Sequence, residues 1–289
     1  MIQSLVSNNY GLLASSSYDK TIKIWDIELG ILKYTFDTTN GGHSDSVDLL
    51  QFLESNYLAS GSRDKTIKIW DVRLGMLKFT LDGHSSSISC LTLLQNGYLA
   101  SSSKEIKIWD IEQNDARLKY TLTESETINW YSALISLDNG LLASGSRGPI
   151  QIWDATNGKL KFILNGHRDT IWSLCLLENN LLASGSNDAT IKIWDYENGL
   201  LKYTFYDHSG SIQILVGLNN GYLASGSSDK TIKIWDVKNG KAVTTLDKTN
   251  GGHTSSIWSM CLLDSGYLVS SSVDVKIWKI NDDSFELIG

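Results

Sequence analysis

Long apolar runs are absent from this chain of 289 residues, and so is any extended window of helical hydrophobic periodicity. No stretch approaches the ~18 apolar residues of a membrane span. The opening MIQSLVSNNY lacks the basic and apolar regions of an export signal. Positive charge is scarce as well: 25 Lys and Arg face 32 Asp and Glu, and a net charge of −7 disfavours a surface built for nucleic acid. Cysteine occurs three times, with no CxxC spacing, and no Asn-X-Ser/Thr sequon is present. Cys90, Cys175 and Cys261 each lie an even number of residues after the Ile that opens the strand (Ile88, Ile171, Ile257), so strand alternation predicts three reduced thiols on a buried face. These absences fit the cytoplasm or the nucleus.

What the chain has instead is one stretch repeated. Leu58 to Asp71 reads LASGSRDKTIKIWD, and near-copies run from Leu13 to Asp26, Leu182 to Asp195 and Leu223 to Asp236. Altered copies end at Trp109-Asp110, Trp153-Asp154 and Trp278-Lys279. The seven tryptophans Trp25, Trp70, Trp109, Trp153, Trp194, Trp235 and Trp278 are spaced by 45, 39, 44, 41, 41 and 43 residues. A period of this size signals a repeat architecture, so the whole length reads as one domain. Each repeat predicts four strands, here called a to d. In strand c, alternation sends Ile67 and Ile69 to one face and Trp70 to the other. A strand apolar on both faces must be covered on both, and a sheet set between neighbouring sheets meets that demand without helices. Asn-Gly pairs at 96, 139 and 220 suit the a–b turns, and those at 157, 198 and 239 the c–d turns.

Gly-His, then two strands, then Trp-Asp, repeated in register, resembles the WD40 family from Ile2 to Ile288. The resemblance implies an all-β, seven-bladed propeller with four antiparallel strands per blade. The expected blades are residues 1–37, 38–82, 83–123, 124–165, 166–207, 208–247 and 248–289. The first blade begins on strand a and the last ends on strand d, so no closing blade is shared by the two ends. Closure is then expected to rest on face packing of the first and seventh blades, the weakest joint.

The same resemblance implies a hydrogen-bonded tetrad of His, Ser, Asp and Trp in each blade. Three blades hold it fully: His43, Ser60, Asp64 and Trp70; His167, Ser184, Asp188 and Trp194; His208, Ser225, Asp229 and Trp235. The seventh (His253, Ser270, Asp274, Trp278) and third (His84, Ser101, Glu105, Trp109) have a shortened b–c turn that puts their geometry in question. The fourth keeps Ser144 and Trp153 but has Thr127 and Gly148 at the His and Asp places, with the sole proline, Pro149, in its turn; the first keeps Ser15, Asp19 and Trp25. Ser, His and Asp together suggest a hydrolase. All five histidines occupy the same repeat position, however, so none is left for catalysis or metal binding. No catalytic residue, cofactor or metal is expected.

Function is expected where the blades differ on exposed ground. Arg63, Lys104 and Arg147 on consecutive blades, with Arg168 and Trp172 on the next, read as a basic arc ending in an aromatic. It suits an acidic or phosphorylated peptide, although Asp48 is placed to neutralise Arg63, and Glu124 and Glu126 lie in the fourth blade's d–a loop. Trp258 and Tyr18 form a second aromatic candidate, while Trp130 reads equally as packing. The expected role is a non-catalytic protein-interaction scaffold whose partner is a protein or peptide, with no nucleic acid, membrane or small-molecule substrate. Two alternatives stand beside it. Leu58 to Arg73 is similar to the box through which some WD40 proteins join a cullin-RING ubiquitin ligase as substrate receptors. The chain also reads as the propeller fragment of a larger signalling or sensor protein.

Overall fold

The computed structural model describes residues 1–54, 56–112, 115–122, 130–281 and 284–288. It is a seven-bladed β-propeller, and each blade is a four-stranded antiparallel sheet made of four consecutive strands. Four short 3-10 turns are the only helical elements among the described residues, and none is long enough to cross a membrane. The chain divides into two compact units, Met1–Leu142 with Trp153–Leu160 and Ala143–Ile152 with Lys161–Gly289.

In the first unit the two faces of strand c do separate work. The first blade presents Ala14, Ile22, Ile24 and Phe36 to Leu58, Trp70 and Val72 of the second. The Phe36 ring stacks on Trp70 with centroids 4.3 Å apart. The second blade in turn presents Ile67, Ile69 and Leu81 to Leu99 and Trp109 of the third, and the third presents Ile106 and Ile108 to Trp153. Ile-x-Ile therefore packs forward and Trp packs backward, which is why the strand is apolar on both faces. The second unit repeats the arrangement. Ile191, Ile193 and Phe205 meet Leu223, Trp235 and Val237, and Ile232 and Ile234 meet Leu268 and Trp278.

A glycine on strand b keeps these faces close. A Cβ on Gly185 would lie 2.5 Å from Ile212 Cγ2, and one on Gly226 would lie 2.6 Å from Ile257 Cγ2. Serine replaces this glycine at Ser16 and Ser102, where the next blade opens on Val47 or Tyr131 and not on isoleucine. In five blades the Asp after the Trp ends strand c. Asp71 accepts the backbone N–H groups of Arg73 and Leu74 at 3.0 and 2.9 Å, and Asp26, Asp154, Asp195 and Asp236 cap their c–d turns in the same way.

Strand a departs from simple alternation. Its register slips after the first residue, between Ile2 and Ser4, Val47 and Leu49, Ile171 and Ser173, and Ile212 and Ile214. In the third and seventh blades Ser89 and Trp258 donate to the carbonyls of Ser102 and Ser271, which already pair with Cys90 and Ser259. Each is a β-bulge, and one extra residue reverses the parity of everything after it. This corrects the expectation for the thiols. Met260, an odd step from Ile257, is buried, and Cys261 is exposed. Cys90 and Cys175 are partly buried, all three are free, and burial pushes the thiols of Cys90 and Cys175 up to about 11.

Candidate functional site

In the second blade Trp70 Nε1 donates to Ser60 Oγ at 2.8 Å, Ser60 Oγ meets His43 Nε2 at 2.8 Å, and His43 Nδ1 meets Asp64 Oδ2 at 2.9 Å. A neutral ring protonated on Nδ1 satisfies every member, because Ser60 then accepts from Trp70 and donates to Nε2. The fifth and sixth blades match, with 2.8, 2.7 and 2.9 Å for Trp194, Ser184, His167 and Asp188 and 2.8, 2.7 and 2.7 Å for Trp235, Ser225, His208 and Asp229. The shortened blades also close their chains. His253 joins Ser270 at 2.7 Å and reaches Asp274, while His84 joins Ser101 at 2.6 Å and Glu105 at 3.3 Å. The longer side chain of Glu105 also accepts the N–H and hydroxyl of Ser85.

The short turns leave a trace elsewhere. In full-length turns the last Ser of strand b accepts the N–H of the Asp, as Ser62, Ser186 and Ser227 do at 3.0, 3.1 and 3.1 Å. Ser103 and Ser272, facing short turns, keep buried hydroxyls with no partner among the described residues. In the first blade Trp25 donates to Ser15 at 3.1 Å. Thr127, the fourth blade's residue at the His place, lies outside the described residues, as do Glu124 and Glu126.

Electrostatics agrees with a structural role. Burial pushes His84 down to about 4 and lowers His167, so both rings are neutral near pH 7. Burial alone would raise Asp188, yet hydrogen bonds from Thr190, the Arg168 N–H and His167 outweigh it and hold the carboxyl at about 2. Asp64 and Asp229 are held well below the usual range against the same burial, chiefly by His43 and His208. Ser60, Ser184 and Ser225 are fully buried and cannot reach a substrate.

The loops above these tetrads carry the variable residues. In the first unit Arg63 Nε bonds Asp48 Oδ2 at 2.7 Å, and its guanidinium lies 5.6 Å from the Tyr18 ring centroid. Arg63, Asp48, Lys104, Ser86, Ser87, Ile88 and Trp130 line a cleft of about 430 Å3. Lys104 is exposed and has no ion-pair partner among the described residues. Trp130, read from the sequence equally as packing, is exposed and forms one wall. Its signal was available. In the second, third, fifth, sixth and seventh blades the residue before strand a is Ser46, Ser87, Thr170, Ser211 or Ser256, always a small hydroxyl.

In the second unit Arg147 pairs with Asp169 at 3.7 Å, and the Arg168 N–H serves Asp188. Trp172 and Trp258 both sit on strand-a bulges and are exposed. A larger cleft of about 770 Å3 lies near the a–b turns of the fifth and sixth blades; leucines share its walls with Glu178, Asn179, Tyr203, Tyr222 and Lys238, and Asp195 holds its Lys202 at 3.5 Å. Asp71, within the Leu58–Arg73 stretch of the ligase-box reading, is buried and engaged in its own turn.

The family profile described as "WD domain, G-beta repeat" matches residues 2–26, 32–71, 75–110, 158–195 and 199–236, more than half of the chain. Among curated proteins none matches. Among many similar solved structures is the crystal structure of the computationally designed Ika8 protein, with a TM-score of 0.83 and 27% identity over 96% of this chain and 83% of that one. With repeats, blades and tetrads in register, the chain belongs to the WD40 (WD domain, G-beta repeat) family.

Proposed function

We propose that the protein is a non-catalytic interaction platform and that the cleft lined by Arg63, Lys104 and Trp130 receives an acidic or phosphorylated peptide segment. WD40 propellers are generally protein-interaction scaffolds, and the observation that carries the finer reading is the make-up of this cleft. Asp48 engages only the Nε of Arg63, which fixes the side chain and leaves its two terminal amino groups for a ligand. Lys104 adds a second cation, Ser86 and Ser87 line the floor, and Trp130 offers apolar area beside the charge. Arg63 and Lys104 outweigh Asp48, so the cleft is locally basic on an acidic protein.

Titration of the purified chain with matched phosphorylated, acidic and neutral peptide pools, read by tryptophan fluorescence and calorimetry, tests this. The expected result is salt-sensitive binding of anionic peptides that Lys104→Glu abolishes and Trp130→Ala weakens at least tenfold. Anionic peptides that bind Lys104→Glu as tightly as the parent chain would sink the assignment.

A further inference from the structure

The cleft of about 770 Å3 between the fifth and sixth blades lies wholly within the second unit, at the end of the strands that carries the a–b and c–d turns. One missing side chain marks it. The strand-a residue that pairs with the strand-b leucine is Phe52, Leu93, Leu176 or Leu262 in the second, third, fifth and seventh blades, and Ser7 in the first. Phe52 and Leu262 pack into the core shared with the preceding blade. In the sixth blade the paired residue is Gly217, opposite Leu223, and it lines the cleft. The backbone does not demand glycine there, because its φ is not positive. A Cβ on Gly217 would meet Cys175 Sγ at 3.5 Å and Leu177 Cδ2 at 3.6 Å, which are ordinary contacts.

The cleft is apolar within and polar at its edge. Leu218 and Val237 are buried, and Leu177 and Leu181 are partly buried. Tyr203 donates its hydroxyl to the Lys238 carbonyl at 3.4 Å, which holds the ring as one wall. Glu178 and Asn179 on the fifth blade's a–b turn, and Lys238 on the sixth blade's c–d turn, are exposed. None of these three side chains, nor the Tyr222 hydroxyl, has a partner among the described residues.

We propose that this cleft docks a peptide segment of a partner protein, which inserts one bulky aliphatic or aromatic side chain beside Gly217 and carries a basic residue on one side of it and an acidic residue on the other. The charges follow from complementarity. Glu178 and Lys238 are opposite in sign, stand on different blades and lack partners, so a cation belongs beside the fifth blade and an anion beside the sixth. The Asn179 amide and the Tyr222 hydroxyl can each donate and accept, and so serve the peptide backbone. An apolar centre inside a charged rim is the anatomy of a protein interface around an anchoring side chain. A small-molecule pocket sets its orienting polar groups among the apolar walls, whereas every charged group of this cleft lies at the rim or, as Asp195 and Lys202, is already paired. The site shares no residue with the cleft of Arg63, Lys104 and Trp130.

Fluorescence anisotropy with labelled peptides tests the proposal. Each peptide has Leu, Phe or Ala at its centre, flanked by Lys and Glu in one chain direction or the other. The Leu or Phe peptides are expected to bind the parent chain at least tenfold more tightly than the Ala peptides, with a preference for one direction. Gly217→Leu, which supplies the side chain that the third, fifth and seventh blades carry at this place, should weaken binding at least tenfold with unchanged circular dichroism. Glu178→Lys/Lys238→Glu alters only exposed positions and should reverse the preferred direction, which keeps the test decisive if Gly217→Leu disturbs the fold. Lys104→Glu should leave this binding unchanged, so the outcome is separate from that for the other cleft. The proposal is overturned if no peptide binds the parent chain up to millimolar concentration, if folded Gly217→Leu binds as the parent does, or if the charge reversal leaves the preferred direction unchanged. It is also overturned if Lys104→Glu loses the binding, or if N-acetyl-leucinamide alone competes as tightly as the peptides, which would mark a small-molecule pocket.

Discussion

Replacing Ser60 by alanine removes a hydroxyl that serves two fully buried groups at once, the Trp70 indole N–H at 2.8 Å and His43 Nε2 at 2.8 Å. Each group left without a partner costs about 1–3 kcal/mol, so Ser60→Ala is expected to lose about 2–6 kcal/mol. That is a large part of the ~5–15 kcal/mol that holds a typical domain together. The first blade supplies the internal control. Ser15 serves only Trp25, at 3.1 Å and partly open to water, and the blade has no His. Ser15→Ala should therefore cost about 1 kcal/mol or less. Equilibrium urea unfolding, followed by tryptophan fluorescence, reads both, with an unchanged denaturant slope confirming that the folded state is compared with the same unfolded state. Trp70→Phe, which already lacks the indole donor, should reduce the further cost of Ser60→Ala. Equal losses for Ser60→Ala and Ser15→Ala would refute the view that the serine works by joining two partners.

Two further outcomes follow from the same chemistry. The folded His84 titrates near 4, below its ordinary value of 6.5, so between these values the unfolded chain binds more protons and stability rises with pH. Its contribution, on the order of 3 kcal/mol, is fully present above about 6.5 and is lost as pH falls to about 4; unfolding at pH 7 and pH 4.5 should show a smaller difference in His84→Gln than in the parent chain. Ser103→Ala removes a buried hydroxyl with no partner among the described residues and should be neutral or stabilising by up to about 1 kcal/mol. A loss above about 1 kcal/mol in urea unfolding would contradict the picture of a hydroxyl stranded by a shortened turn.

Much of the fold was legible because the residues that build it recur. A Trp that packs backward, an Ile-x-Ile that packs forward and a capping Asp are each required in most blades, so repetition announces them. The bulge on strand a was missed because it inserts a residue without adding a distinctive one. The clue lay in spacing, since Val47 with Leu50, Ile212 with Leu215 and Ile257 with Met260 are apolar pairs an odd distance apart and buried together. Both short b–c turns close their tetrads despite the deletion, because a side chain can reach where the backbone has receded, as Glu105 does. Arg63 and Lys104 stood out as cations at one repeat position, but their shared cleft depends on Trp130, whose singularity shows only against the hydroxyl kept at that place in five other blades.

The bulge also bears on how such a protein acquires new specificity. In the six blades where it is seen, the residue it pushes out is Gln3, Asp48, Ser89, Trp172, Gln213 or Trp258. Its neighbours on either side keep their places in the sheet, so its identity is free of the packing rules that govern the rest of the strand. One position in each of these blades can mutate from a small hydroxyl to an acid or an indole at little risk to the scaffold. The molecule thereby carries six sites of evolutionary experiment that are separated, residue by residue, from the parts on which its folding depends.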